Sequence, residues 1–322
     1  MLALLTLAGA PSRSQNVPTP LQSDAARARL KRDPGEPRLL AHLQDARLTE
    51  LSGLAASRRF AGWAWGHNDS GDTARLFLLD AQARTRLVVN VLNAQAVDWE
   101  DIAVAGSGDE ATVIAGDIGD NNSVRPGIAL YRFRERDLKV PSLDLKAAPP
   151  AQAPEVSIQA QSLKLRYPQP DGAQNAESLA ANARGDLLIV TKSTGPSNFY
   201  LTRWTRDEGS ADKVLKKVAS HQFGSTVPGQ RRVRQMLATG ADLSFDESRL
   251  ALITYAELYI WKLPPGSWDK LNWQALIDGP AQTRPLPPMQ QSESVAWMSP
   301  SEVWVSSEGV GAPLWDIPVG TK

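Results

Sequence analysis

VDWEDIAVAGSGDEATVIAGDIGDNN, from Val97 to Asn122, is the stretch on which the reading of the whole chain turns. Two short apolar runs, Ile102 to Ala105 and Ala111 to Ala115, flank a Gly-rich acidic turn, the signature of a β-hairpin. Asp98, Glu100 and Asp101 precede the first run; Asp117 and Asp120 follow the second. Carboxylates at such Gly-flexed strand ends suit a hard cation, and equally suit strand capping beside a solvent-filled channel.

The rest of the chain repeats this hairpin. Its head recurs as Ser52-Gly-Leu-Ala, Glu100-Asp-Ile-Ala, Glu177-Ser-Leu-Ala, Ala241-Asp-Leu-Ser and Glu293-Ser-Val-Ala. Two residues upstream stand Glu50, Asp98, Asn175, Thr239 and Gln291, each with an oxygen to offer. About ten residues on comes a second strand, as in Gly62 to Trp65 or Glu302 to Val305. An aromatic-rich third follows, holding Tyr131, Tyr200, Trp204, Tyr259, Trp261 and Trp315, whose regular placement predicts packing between units. A fourth strand leads into the next head, as in Arg86 to Leu92 and Ser162 to Tyr167.

Roughly 40–50 residues per four-stranded unit is the period of a β-propeller blade. The second and third repeats are longer. Residues from Arg134 to Glu155 read as an exposed loop, and those from Arg206 to Lys217 as a charged insertion. The chain stops after three strands of its fifth unit, and the segment Leu39 to Leu43 supplies the missing fourth. Pairing the two ends in one blade removes an open sheet edge. The sequence therefore predicts an all-β protein, a single propeller of five four-stranded blades closed by its N-terminal strand. Six blades is the alternative, should a long repeat conceal a degenerate one.

Composition agrees. Ten Trp, 23 Gly and 23 Pro suit short strands and turns rather than long helices. With 35 basic and 35 acidic residues there is no net field to attract nucleic acid or an anionic membrane. The lack of cysteine excludes disulfides, thiolate metal sites and a Cys nucleophile. No stretch reaches the length of a membrane span. Met1 to Ala10 is an apolar run ending in Ala-Gly-Ala, which fits a cleavage site but lacks a basic start. Residues 1–36 are expected to be leader and flexible linker, residues 37–322 the propeller, and the mature protein periplasmic or secreted.

Several motifs carry a resemblance. Glu50-Leu-Ser-Gly-Leu-Ala, Asn68-Asp-Ser-Gly-Asp, Asp98-Trp-Glu-Asp-Ile-Ala, Gly116-Asp-Ile-Gly-Asp-Asn and Asn175-Ala-Glu-Ser-Leu-Ala resemble a family of bacterial extracytoplasmic β-propeller proteins of uncertain function. Thr239-Gly-Ala-Asp-Leu-Ser, Ser292-Glu-Ser-Val-Ala and Ser306-Ser-Glu-Gly fit the same family. The likeness runs from about Pro37 to Lys322. More distantly the chain is similar to propellers of the phytase-like and SdiA-regulated types, many of them called WD40-like or hypothetical. The phytase likeness implies calcium binding and phosphomonoesterase activity, but the Lys/Arg cluster a phytate site needs is missing.

Candidate ligands follow from the repeat. Asp69-Ser-Gly-Asp72 and Asp117-Ile-Gly-Asp120 place one D-x-G-D motif at the same point of two successive units, fit for Ca2+ or for turn capping. Glu100, Glu177 and Glu293 share one aligned column, with Asp98, Asp101 and Asp242 in neighbouring columns. On innermost strands these line the channel, where like charges repel unless a cation or a base compensates. Lys192 stands on the comparable loop as an internal counter-ion. His67 is the one histidine near these loops; His42 and His221 fall on outer strands. Arg231, Arg232 and Arg234 form a small basic cluster. No G-x-S-x-G, H-E-x-x-H or P-loop motif occurs. The expected role is a monomeric ligand- or metal-binding propeller whose acidic mouth takes a small molecule or a protein, with calcium as the ion. The enzymatic alternative is a calcium-dependent phosphoesterase or a lactonase-like hydrolase.

Overall fold

The computed structural model describes residues 35–140, 152–224 and 236–320. The basic cluster at 231–234, and the leader expected over 1–36 apart from Gly35 and Glu36, lie outside them. All strands belong to the unit Pro37–Lys322.

In chain order, β1 (Arg38–His42) is followed by β2 (Leu51–Ala56), β3 (Ala64–Asn68), β4 (Arg75–Leu79) and β5 (Thr85–Val91), the first blade. β6 (Trp99–Ala105), β7 (Thr112–Asp117) and β8 (Ile128–Arg134) begin the second, which β10 (Gln161–Arg166) completes after the short β9 (Glu155–Ile158). The third is β11 (Ala176–Ala181), β12 (Asp186–Thr191), β13 (Ser197–Arg203) and, after β14 (Ala211–Val214), β15 (Lys216–His221). β16 (Ala238–Leu243), β17 (Arg249–Thr254), β18 (Glu257–Lys262) and β19 (Gln282–Pro285) make the fourth. β20 (Ser292–Ser299), β21 (Glu302–Ser307) and β22 (Pro313–Pro318) make the fifth, and β1 completes it, pairing antiparallel with β22 from Arg38↔Asp316 to His42↔Pro313. Five sheets form a five-bladed propeller, and six blades are excluded among the described residues.

The strands β2, β6, β11, β16 and β20 are the innermost of their blades, each packed on the next, with β20 returning to β2. β2, β6, β11 and β16 are buried along their whole length, because both faces of a blade are covered by neighbours. Outer strands revert to alternation, as in β10, where Leu163 and Leu165 point in and Lys164 and Arg166 point out. The core is accordingly five layers rather than one mass. Ile102, Val104 and Val113 pack toward the first blade with Trp65 and Leu78, whereas Ala103 and Ile114 pack toward the third with Leu179 and Ile189. This period of two along every strand is what the hydrophobic pattern encodes. The third-strand aromatics belong to these layers: Tyr131, Tyr200, Trp204, Tyr259 and Trp261 are buried, and Trp315 packs against the layer between blades four and five.

The two long repeats are corrected by the structure. Glu155 to Ile158, at the end of the segment expected to be loop, forms β9 and pairs in parallel with β5 of the preceding blade. Within the expected charged insertion, Ala211 to Val214 forms β14 and pairs in parallel with β10. Each insertion thus covers the outer edge of the blade before it, which removes an exposed edge from the first two blades. Truncation through His42 should uncover β22 in the same sense. The shortened protein is expected to melt lower and to self-associate, which concentration-dependent size-exclusion chromatography will detect.

Candidate functional site

Every inner strand breaks register at one residue near its start. The shifts fall between Leu51 and Gly53, Trp99 and Asp101, Ala176 and Ser178, Ala238 and Gly240, and Ser292 and Ser294. The skipped residues are Ser52, Glu100, Glu177, Thr239 and Glu293. A β-bulge of this kind re-aims one side chain while the ladder continues on both sides. Five bulges at equivalent points make a ring of side chains around the mouth. The fourth head therefore begins two residues earlier than the sequence repeat places it: Thr239 is the counterpart of Glu100, and Asp242 falls level with Ala103 rather than Asp101. Thr239 directs its hydroxyl to Ser292 O at 2.6 Å, across to the next blade.

A second ring lies immediately beyond the second strand of each blade. Asp69, Gly119, Lys192 and Glu308 donate their backbone N–H to Glu50, Asp98, Asn175 and Gln291, the residues two before each bulge. Tyr255, directly after β17, takes the same place in the fourth blade. The two D-x-G-D motifs differ by one residue, because Asp117 faces Trp99 in register as Asn68 faces Leu51. Asp69 joins the ring, whereas Asp117 accepts from Asp98 N at 3.0 Å and pairs with Arg125 at 2.9 Å.

The two rings bring together Asp69, Asp98 and Glu100, each offering a carboxylate oxygen within 4.8 Å of the others. Two oxygens on one Ca2+ at about 2.4 Å lie no more than about 4.8 Å apart, so the spacing fits a shared ion. Glu100 is 2% exposed; its Oε2 accepts from Ser52 Oγ at 3.2 Å, and its Oε1 has no hydrogen-bond partner. A Cβ on Gly119 would fall 2.5 Å from both Asp98 Oδ2 and Glu100 Oε1, so only glycine leaves the carboxylates room. Burial, with other carboxylates beyond it, pushes Glu100 well above the usual range, and burial raises Asp98 too. Burial lifts Asp69 to about 7, where it hydrogen-bonds Asp98.

Across the mouth the arrangement is different. Lys192 Nζ lies 2.5 Å from Glu177 Oε2 and 3.4 Å from Glu293 Oε1, and Tyr255 donates its hydroxyl to Glu293 Oε1 at 2.9 Å. Burial raises Glu177 to about 8 against the pull of Lys192. Glu308, hydrogen-bonded to Glu293, is raised by burial to about 9.

The remaining candidate acids carry partners of their own. Asp101 is fully buried and accepts N–H groups from Ile102, Leu179 and Ala241, on three different inner strands. Asp242 accepts from Leu243 N and, in the next blade, Trp297 N. Asp120 accepts from Val124 N and Arg125 N, and Asp72 pairs with Arg75 at 2.7 Å. His67 is buried edge-on to Trp99, and burial lowers it to about 4, so the imidazole stays neutral. His42 and His221 sit on the outermost strands β1 and β15. Gly119, Tyr255 and Glu308 carry no motif that marks them in the sequence; what they share is a place one or two residues past the second strand of a blade.

Toward the opposite end, Arg58 of the first blade stacks 3.7 Å over Phe245 of the fourth and donates to Val104 O of the second. The first and fourth blades are not neighbours in the ring, so the contact spans the axis. A cavity of about 800 Å³ lies elsewhere, between the second and third blades, lined by Ile114, Arg132, Phe133 and Trp204 among others. Its basic side chains are engaged, Arg132 with Trp204 O and Gln161, Arg206 with Glu110.

Fold and site together define a five-bladed β-propeller with acidic side chains gathered at one end of its inner strands. No family model and no curated protein matches the chain. Among solved structures it is similar to the PQQ-bound aldose sugar dehydrogenase of Streptomyces coelicolor, at 12% identity and TM-score 0.45 over 89% of this chain and 99% of that one. It is similar to a protein provisionally described as a gluconolactonase (12%, TM-score 0.41, 88% and 92%) and to a Bacteroides thetaiotaomicron protein of unknown function (11%, 0.42, 89% and 72%). No helix among the described residues is long and apolar enough to cross a membrane.

Proposed function

We propose that this protein is a cation-dependent ligand-binding propeller in which Asp69, Asp98 and Glu100 hold one divalent ion at the channel mouth. The observation that carries the reading is the buried, unpartnered Glu100 Oε1 converging with two further carboxylates. An all-oxygen donor set selects a hard ion, and the open side of the cluster suits the six to eight ligands of Ca2+ better than the strict octahedron of Mg2+. Water or ligand oxygens complete the shell from the mouth. The test is equilibrium dialysis with Ca2+ followed by elemental analysis: one ion per chain is expected, and none would end the proposal.

A hydrolytic role is the second reading, and the pairing of Lys192 favours one class of substrate for it. Lys192 is committed to Glu177 and Glu293, so it is not free to meet a phosphate dianion. A neutral carbonyl substrate, an ester or lactone, fits better than a phosphomonoester. A bound divalent ion supplies Lewis-acid polarisation of such a carbonyl. Glu177 and Glu308, kept protonated near neutrality by burial, stand by as proton donors. Turnover of lactones but not of phosphate monoesters, lost with chelator, is the expected pattern.

Two further outcomes follow. Gly119→Ala pushes a methyl against Asp98 and Glu100. It is expected to weaken Ca2+ at least tenfold, about 1.4 kcal/mol, by calorimetric titration, with little change in ion-free stability. The second concerns pH. Asp69, Glu177 and Glu308 are raised in the folded protein to about 7, 8 and 9. A carboxyl raised by folding stabilises the fold below its unfolded value near 4 and loses that contribution as pH climbs through the folded value. Without ion, melting temperature should therefore fall between about pH 5 and 9; Ca2+ should flatten the fall, since it binds the deprotonated acids. A flat ion-free profile would contradict this.

A further inference from the structure

The cavity between the second and third blades lies at the opposite end of β6 from the bulged Glu100, where Ala105 lines it. Its wall is a patch of one blade face. Ile114, Arg132 and Gln161 stand opposite one another on β7, β8 and β10, and Thr112 and Arg134 form a further pair on β7 and β8. Ile114 and Trp204 belong to the apolar layer between the two blades and give the cavity a nonpolar floor. The rim at Gln159, Arg206 and Asp207 is exposed, so the cavity opens to solvent. Its volume, about 800 Å³, is that of a pocket for a small organic molecule.

The polar groups on this wall are unevenly spent. Arg132 is 7% exposed and stacks 3.8 Å over Trp204. Its guanidinium donates to Gln161 Oε1 and to the carbonyls of Trp204, Thr205, Arg206 and Glu208. Burial lowers it only to about 10, so it stays charged at neutral pH. No carboxylate among the described residues pairs with it; Glu208, the acid whose field reaches it, is bound to Lys213 at 2.6 Å. Dipoles alone thus hold a buried cation, a cost that an anion beside it would offset. Glu110 and Asp137, on the same wall, are taken by Arg206 at 2.8 Å and Arg134 at 3.0 Å. Gln161 Nε2 and Ser107 Oγ have no hydrogen bond among the described residues, and Arg132 Nη1 makes one bond with its two hydrogens. What faces the cavity unspent is a set of donors and one positive charge.

We propose that this cavity binds a small organic monocarboxylate, its carboxylate meeting Arg132 and Gln161 Nε2 and its apolar body lying against Ile114 and Trp204. A carboxylate accepts from a guanidinium and an amide at once, and its bonds to the former are charge-assisted. One uncompensated positive charge matches a monoanion; a phosphate dianion would bring a second negative charge beside Glu110 and Asp137. The site is independent of the cation reading of the mouth.

Isothermal titration in chelator, so that no ion at the mouth contributes, tests this with cinnamate, cinnamamide and phenyl phosphate. The wild type is expected to take one cinnamate per chain. The amide and the phosphate should bind at least tenfold more weakly, since a charge-assisted hydrogen bond is about twice as strong as a neutral one. Arg132→Met removes the charge and should bring cinnamate down to the level of its amide; Arg132→Lys should restore part of the preference. Because Arg132→Met also strips carbonyls of their donor, Thr112→Trp is the independent variant. It fills the cavity, leaves Arg132 in place and should abolish cinnamate binding while circular dichroism shows the fold retained. No cinnamate binding by the wild type, equal affinity for the amide or for phenyl phosphate, or undiminished binding by folded Thr112→Trp would each overturn the proposal.

Discussion

Glu100→Gln is expected to abolish the stabilisation of this protein by calcium. An ion present at a hundred times its dissociation constant stabilises the state that binds it by about 2.7 kcal/mol. In a domain of this size that is a melting shift of several degrees, at about 2–4 °C per kcal/mol. Glu100 is central because its Oε1 is buried without a partner and lies within reach of both Asp69 and Asp98. Ion-free, the same substitution should leave stability unchanged or raise it, since it removes a carboxyl whose charged form burial and neighbouring acids disfavour. That pair of opposite effects separates a ligand from a structural carboxylate. If chelator, added Ca2+ and Glu100→Gln all leave the melting temperature where it was, the cation site does not exist.

The neighbouring Asp101→Ala should have the largest effect on folding itself. Asp101 Oδ2 accepts Leu179 N at 2.7 Å and Ala241 N at 3.0 Å, and Oδ1 accepts Ile102 N at 2.8 Å. Its side chain ties the inner strand of the second blade to those of the third and fourth. Alanine strands three buried N–H groups at about 1–3 kcal/mol each, a loss of roughly 4–6 kcal/mol against a total stability of about 5–15 kcal/mol. Asp101→Asn keeps one acceptor oxygen and should lose roughly half as much. Urea denaturation measures both, and a loss below about 1 kcal/mol for alanine would show that the N–H groups find other acceptors.

Glu100 and Asp101 adjoin in sequence, share charge and burial, and have opposite parts. The bulge between Trp99 and Asp101 makes the difference. It turns Glu100 into the mouth and leaves Asp101 in the wall. No composition or period marks a bulge, since it changes the backbone path without changing the alternation on either side. The same blindness set the fourth head two residues late and equated Asp117 with Asp69. It also hid Gly119, Tyr255 and Glu308, whose importance is a place in a ring and not a motif. β9 and β14 were hidden for another reason: they pair in parallel with strands of a preceding blade, a partner that local pattern cannot name.

What the sequence determined by itself was the blade. Alternating apolar side chains, third-strand aromatics and a recurring head are local properties, and two-sided burial forces them on each strand in turn. It also determined closure, because the fifth unit lacked a strand that Arg38 to His42 could supply. The tertiary structure alone decided which acids meet. Asp69 and Glu100 come from different blades, as do Glu177, Lys192 and Glu293. Their convergence depends on five backbone bulges, which leave no trace in the spacing of residues along the chain.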